Sequence, residues 1–337
     1  MFVGSVQSGC SNSPASSPTD NDVTQFPITQ PVLVIVGPTA IGKTALSLEL
    51  ARVFNCEIVN LDSMQVYRYM NIGTAKATNE ERSSVPHHLI DITDPDQEYD
   101  AERFVSDSCK AIHDIHAGKK IPLLTGGTGL YLRALTEGLF AGGKQYPELR
   151  ARLKARLALE GSSDLHKELV LYDRISAERI HENDTHRLIR ALEIYYGSGI
   201  PWSKHLLLQT EEKISPRFTN ILQIGLICDR KVLYERINNR CSSMFQAGLE
   251  QEVRGLLEAG YNAELKSMMS IGYRHMVNYI KGIWNQQEME RLLARDTRRY
   301  AKRQFTWFQN IDNITWFNIS DTTKIRKYVA GWLEEHR

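Results

Sequence analysis

Pro31-Val32-Leu-Val-Ile-Val36-Gly37-Pro38-Thr39-Ala40-Ile41-Gly42-Lys43-Thr44 is the stretch on which the fold turns. The run Val32–Val36 is apolar without a break, and Pro31 and Gly37 bound it. A half-exposed strand alternates in polarity, whereas one covered on both faces inside a parallel sheet does not. From Thr44 to Phe54 the pattern is helical, with Leu46, Leu50 and Val53 on one side. The intervening residues match G-x-x-x-x-G-K-[ST] at each fixed position, between a strand and a helix, where that loop belongs. Gly37, Pro38, Thr39, Ala40, Ile41, Gly42, Lys43 and Thr44 therefore read as a cradle for a polyphosphate. Backbone N–H groups and the positive helix end face the anion, Lys43 adds a mobile charge, and the Thr44 hydroxyl can join the shell of a Mg²⁺ ion. What becomes of the anion is left open by the loop. A kinase attacks phosphorus, while other enzymes use the same cradle to hold a departing diphosphate.

Further strands are expected at Glu57–Leu61, Ile121–Thr125, Leu222–Ile227 and Ile314–Asn318, with a helix over 101–117. Such alternation indicates an α/β fold, a P-loop NTPase-like three-layer domain with a central parallel sheet. Residues 144–208 break the pattern with the amphipathic stretches Pro147–Leu159, Asp164–Val170 and Thr185–Tyr196. They read as a helical insertion domain between the two parts of the catalytic domain, 31–143 and 209–337, the second rich in helix over 230–309. The 337 residues suit roughly two domains at about 150 each. Residues 1–30 hold no Lys or Arg and little apolar surface, and are expected to form a flexible tail.

The charge balance is 41 Lys+Arg against 40 Asp+Glu. It excludes a protein held to nucleic acid by bulk positive charge and leaves only local basic faces. The five cysteines, Cys10, Cys56, Cys109, Cys228 and Cys241, form no closely spaced pair, so neither a zinc site nor a disulfide framework is expected. No stretch approaches the roughly 18 apolar residues of a membrane span, and the amino terminus lacks a signal-peptide core. A cytoplasmic protein with no membrane partner is the expectation.

Two more features gather on the same rim of the sheet. Asp62 directly follows the second strand in Asp62-Ser63-Met64-Gln65-Val66-Tyr67, and ligands of open α/β sheets collect outside the carboxyl ends of strands. A metal-shell carboxylate or an N-cap would account for Asp62 equally well. The third strand empties into Thr125-Gly126-Gly127-Thr128-Gly129, where paired glycines allow close approach to a ligand and Thr128 can present a hydroxyl. A plain strand–helix turn is the alternative there.

Gly37–Thr44, Asp62-Ser-Met-Gln-Val-Tyr67, Ile72-Gly-Thr-Ala-Lys76, Pro86-His-His-Leu-Ile-Asp91 and Gly126-Gly-Thr-Gly-Leu-Tyr131 together resemble the tRNA dimethylallyltransferases. So do Ile180-His-Glu-Asn-Asp184, Ser270-Ile-Gly-Tyr-Arg274 and Ala301-Lys-Arg-Gln304, in the same order along residues 31–320. The resemblance implies transfer of a dimethylallyl group from dimethylallyl diphosphate to N6 of the adenine at position 37, beside the anticodon, of tRNAs that read codons starting with U. It implies that Gly37–Thr44 hold the diphosphate with Mg²⁺, that Lys43 supports the leaving group, that Asp62 accepts the proton lost from N6, and that Thr128 positions the reacting groups. Asp62, Ser63, Met64, Gln65, Thr128 and Arg150 match tRNA-contact positions. His186, Arg187, Leu188, Ile189 and Arg190 do so as well, as do Met269, Ser270, Ile271, Gly272, Tyr273 and Arg274. Partners would be dimethylallyl diphosphate and the anticodon stem-loop, with no DNA, and the enzyme is expected to be a monomer. Eukaryotic members often carry a carboxy-terminal zinc finger; no cysteine follows Cys241, so the bacterial type fits better.

The chemistry suits these parts. An exocyclic adenine amine is a weak nucleophile, so displacement at an allylic carbon needs a well-stabilised leaving group. N6 becomes acidic as its bond to carbon forms, so a nearby carboxylate suffices as base. Tyr67 and Met70 are candidates for the apolar wall around the carbon tail, or are plain core residues. Arg150, Arg152, Lys154 and Arg156, and a second run at Arg295–Arg303, become RNA-contact candidates only through the resemblance, because charge runs on helices are usually solvated faces. In the second run Arg295, Arg298, Arg299 and Lys302 share one helical face, and Leu293, Thr297, Tyr300, Gln304 and Trp307 another. His87 and His88 point to opposite faces and are assigned structural roles or loop contacts. Prenylation of free adenine nucleotides, phosphoryl transfer, and tRNA binding without catalysis are the competing readings.

Overall fold

The computed structural model describes residues 26–138, 146–211 and 217–336. Six strands form one parallel sheet: β1 (Val32–Val36), β2 (Cys56–Leu61), β3 (His87–His88), β4 (Ile121–Gly126), β5 (Ile221–Ile227) and β6 (Ile314–Asn318), in the order β3-β2-β4-β1-β5-β6. β3 is the strand that periodicity misses, since two residues carry no pattern. It pairs with Ile58 and Val59.

β1 is buried along its whole length, as an unbroken apolar run requires. Val32, Val34 and Val36 face one layer of helices, and Leu33 and Ile35 the other. The second layer is α1 (Lys43–Phe54) with the carboxy-terminal helix Thr322–Glu335, which sends Ile325, Val329 and Leu333 inward. Between β2 and β3 lies the short α2 (Asn79–Ser84). The first layer is α3 (Ala101–Ala117), begun by Asp100 accepting from the N–H groups of Glu102 and Arg103, and α4 (Gly129–Glu137).

The insertion comprises α5 (Pro147–Glu160), α6 (Ser162–Tyr172), α7 (Arg174–Arg179), α8 (Thr185–Ser198) and α9 (Trp202–Glu211). Leu153, Leu165, Leu169, Leu188 and Leu192 meet in a core separate from those of the sheet. Then come α10 (Arg230–Gln246), α11 (Leu249–Glu258), α12 (Tyr273–Ile280) and α13 (Gln286–Gln309), which complete the first layer; the carboxy-terminal helix is α14.

Part of the stretch expected to be a flexible tail, 26–30, is tied to the sheet domain. Residues 1–25 lie outside the described residues, but Ile28 forms a bridge with Phe218, and the Arg217 guanidinium lies 4.5 Å from the centre of the Phe26 ring. That bridge is made by backbone groups, to which composition is blind.

The arginine run of α5 is drawn into the insertion's own structure. Glu193, fully buried, accepts from the Tyr146 N–H (2.9 Å) and from Arg150 Nη2 (2.7 Å), and lies 3.1 Å from Arg190 Nη1. Burial opposes its ionisation, but these donors prevail and hold its carboxyl below the usual range. Arg156 is likewise shared between Glu160 and Glu168. Glu193→Ala would leave two cations without their counter-charge and should cost about 2–4 kcal/mol. Urea unfolding should show the loss in the insertion's transition, with diphosphate affinity unchanged.

Candidate active site

Register makes the site. Val36, Leu61 and Gly126 lie at one level across three adjacent strands, so Gly37, Asp62 and Gly127 leave the sheet side by side. A Cβ at Gly126 would stand 2.1 Å from the Leu61 carbonyl, so no other residue lets the strand ends come this close. β1 is also where the sheet's winding reverses, with β2–β4 on one side and β5 and β6 on the other, the place where such sheets bind ligands.

The cradle is held from outside itself. The Thr39 N–H donates to Gln304 Oε1 (2.8 Å), and Gln304 Nε2 donates to the Gly127 carbonyl (2.9 Å), so α13 staples the cradle to the turn after β4. Arg236 of α10 donates to the Ile41 carbonyl (2.9 Å). Lys43 Nζ donates to the carbonyls of Gly37 (2.9 Å) and Pro38 (3.0 Å). Burial lowers the Lys43 pKa to about 8; Asp62 works against that fall, and Arg240 adds to it.

Asp62 sits on a turn fixed from both sides. Buried Asn60 accepts from the Asp62 N–H (3.1 Å) and donates to the carbonyls of Asp62 and Leu89 (both 3.0 Å). Thr128 Oγ1 accepts from the Ser63 N–H (3.0 Å), and Asp62 Oδ1 accepts from the Met64 N–H (2.9 Å). No helix begins at Asp62, so it is not the N-cap offered as an alternative; its Oδ1 closes the turn instead. Thr128 acts by positioning: its hydroxyl ties the turn after β4 to the turn that carries Asp62.

Two cavities of about 350 and 340 Å³ adjoin here and share Thr39, Asp62, Thr74 and Arg240. The first is the phosphate side, with Lys43, Thr44 and Ser47. The second is lined by Met64, Met244, Met269, Ile271 and Leu293, together with Tyr300 and Arg303. Burial, then Asp62, raise the Tyr300 phenol well above its ordinary range, so it stays protonated. Burial likewise lowers the Arg240 pKa, against the pull of Asp62.

The expected tRNA-contact residues divide. Asp62, Ser63, Met64 and Met269–Gly272 meet in the second cavity, while Gln65 lines the first and donates to the Thr74 and Ala75 carbonyls. Leu188 and Ile189 belong instead to the insertion's core, because the inward face of α8 runs through the motif; His186 and Arg187 are exposed. Arg150 and Arg190 are engaged by Glu193. Gly272 and Tyr273 are buried, Tyr273 completely. Arg274, Arg295 and Arg299 converge on Asp296; burial opposes its ionisation, but Arg295 and His275 hold its carboxyl at about 2. Tyr67 and Met70 are core residues and line neither cavity.

His88 is held by Glu57 (2.6 Å) and His87 by the Val85 carbonyl (2.7 Å), so the two rings serve different partners, and His87 also borders the first cavity. Arg240 was not foreseen, whereas Arg303 was, as the last residue of the Arg295–Arg303 run. Arg236 and Arg240 lie one helical turn apart in α10, so a basic pair on one side of that helix was readable in the sequence.

A family model described as IPP transferase matches residues 65–311. The chain belongs to that family. A tRNA dimethylallyltransferase of Desulfotalea psychrophila is 56% identical over 91% of this chain and 97% of its own. One of Syntrophobacter fumaroxidans is 45% identical over 87% and 84%. The crystal structure of a full-length tRNA isopentenylpyrophosphate transferase from Bacillus halodurans, 39% identical, superposes with a TM-score of 0.66 over 91% of this chain and 98% of that one. A eukaryotic dimethylallyltransferase caught acting on tRNA, 31% identical, gives 0.72 over 86% and 74%. As a member of this family the chain is a prenyl-transferring enzyme of tRNA modification, built on the α/β architecture described above. No helix among the described residues is long and apolar enough to cross a membrane.

The lowered Lys43 pKa has a measurable consequence. A bound anion favours the charged ammonium, so affinity is full where Lys43 is already protonated and falls as pH rises through about 8. Calorimetric titration with inorganic diphosphate between pH 6.5 and 9.5 should show that decline, approaching tenfold per unit. A Lys43→Arg variant, charged throughout, should lack it.

Proposed function

We propose that this enzyme transfers the dimethylallyl group of dimethylallyl diphosphate to N6 of adenine 37 in tRNAs reading codons that start with U, forming N6-dimethylallyladenosine and diphosphate. The observation that carries the reading is the position of Asp62 between a phosphate-binding cavity and a second, methionine-lined one. The bond from the allylic carbon to the diphosphate oxygen breaks as the bond from N6 to that carbon forms. The electron pair leaves with the diphosphate, and Asp62 takes the proton from N6.

Lys43, Arg240 and the cradle amides stabilise the charge that gathers on the leaving group. A Thr44 hydroxyl without a carboxylate cluster is a donor set that suits Mg²⁺, which keeps several waters and takes phosphate oxygens. Bound at Thr44, Mg²⁺ would supply further neutralisation of the diphosphate. The acceptor base must leave its loop stack, at a cost of a few kcal/mol. Met64, Met269 and Ile271 offer it an apolar seat, with Arg303 at the edge. We assign recognition of the anticodon stem-loop outside the cavity to exposed His186 and Arg187 of the insertion and to Arg298 and Lys302 of α13. Free thiols at Cys56, Cys109, Cys228 and Cys241 support a cytoplasmic location.

Incubation of the protein with Mg²⁺, dimethylallyl diphosphate and unmodified tRNA should add one five-carbon unit to an adenosine of the digested RNA, and none to AMP in a parallel reaction. Product from AMP alone, or phosphate moved to an acceptor, overturns the reading. Asp62→Ala should slow single-turnover transfer by roughly 10²–10⁴-fold, with tRNA affinity held within a few-fold. An undiminished rate would remove Asp62 from its role as base.

A further inference from the structure

Three successive backbone N–H groups converge on one carboxylate outside the cavities. Glu252 of α11 accepts from Asn71 (2.9 Å) and Ile72 (2.8 Å) on Oε2 and from Gly73 (3.1 Å) on Oε1. The same Oε1 accepts the Tyr273 hydroxyl at 2.6 Å. Burial, together with the carboxylate beside it, keeps that phenol protonated and therefore a donor.

The partners of Glu252 fall on two segments, the 71–77 loop and the start of α12, which directly follows residues 269–272. The 71–77 loop places Thr74, Ala75 and Ala77 in the first cavity and Gly73 and Thr74 in the second. Its far half is fixed by other groups: Gln65 holds the Thr74 and Ala75 carbonyls, and the buried Lys76 ammonium donates to the Tyr67 carbonyl (2.7 Å), Asn71 Oδ1 (2.9 Å) and Asp91 (2.6 Å). Tyr273 directly follows Met269–Gly272, which line the second cavity. Its ring lies so close to Gly73 that a Cβ there would stand 2.4 Å from it. A shift of the 269–272 segment therefore reaches the donor-side loop by two routes, the ring against Gly73 and the hydroxyl through Glu252.

We propose that Glu252 is a positioning residue that couples the two cavities: through Tyr273, occupation of the acceptor side sets the wall of the donor side, and the reverse. The proposal rests on the functional reading above, since it takes the occupants to be an RNA base and an allylic diphosphate. Coupling between two sites must be reciprocal, which gives an internal check.

The test measures affinity for a non-transferable donor, dimethylallyl thiodiphosphate, with and without a saturating anticodon stem-loop. It also measures stem-loop affinity with and without the donor. In the native protein each ligand should change the other's affinity by the same factor, about fivefold or more. Tyr273→Phe keeps the ring and its packing and removes only the hydroxyl, so it folds even where Glu252→Gln does not. It should lower that factor by at least half, the ring's contact with Gly73 remaining, while donor affinity without RNA stays within twofold. A factor of one in the native protein, or an equal factor in native and Tyr273→Phe proteins, overturns the proposal. A native protein that binds neither ligand contradicts the functional reading instead.

Discussion

The site depends on the side-by-side ending of β1, β2 and β4. Their parallel ladder puts Val36, Leu61 and Gly126 at one level. A Cβ at Gly126 would overlap the neighbouring strand's backbone. Any larger residue there would splay β4 from β2 and separate Asp62 from the turn that steadies it. The cradle, the carboxylate and the Thr128 turn are thus consequences of one backbone constraint, elaborated by three loops.

What the loops add is rigidity. In the proposed reaction Asp62 is not required to be a strong base, because N6 grows acidic only as its new bond forms; it is required to be in place at that moment. Asn60 and Thr128 clamp the backbone on either side of it, and the amide of Gln304 holds the cradle against the β4 turn. A desolvated lysine and a desolvated arginine flank the carboxylate, and both are costly to keep charged without an anion. Binding a diphosphate relieves that cost, so the site is poised for the donor by its own electrostatics.

Much of this was legible in the sequence because it is local. The unbroken run Val32–Val36 told of a strand covered on both sides, and the loop after it is a contiguous motif. The carboxylate after β2 and the glycine turn after β4 could be placed on one rim from strand ends alone. The rest comes from afar. Gln304 reaches Thr39 across 265 positions and Glu252 reaches Gly73 across 179, and no periodicity reports such partners. Leu188, Ile189 and Tyr273 show another limit: a motif block contains the buried residues of its helix along with the exposed ones, so contact roles spread too widely over it. Of the two readings offered for Tyr67 and Met70, the plain core one holds: both point into the sheet's core, which an apolar residue near a site does by default. The arginines of α5 were read as a surface, whereas Glu160, Glu168 and Glu193 had already engaged two of them.

In the proposed reaction the phosphate-side and acceptor-side cavities adjoin at Asp62, so N6 would meet the allylic carbon from the face opposite the departing oxygen. A donor bearing one deuterium of known handedness at that carbon tests this directly, by the configuration of the labelled carbon in the modified adenosine. The account predicts inversion. Retained or scrambled configuration would mean that nucleophile and leaving group do not occupy opposite sides, and would contradict it.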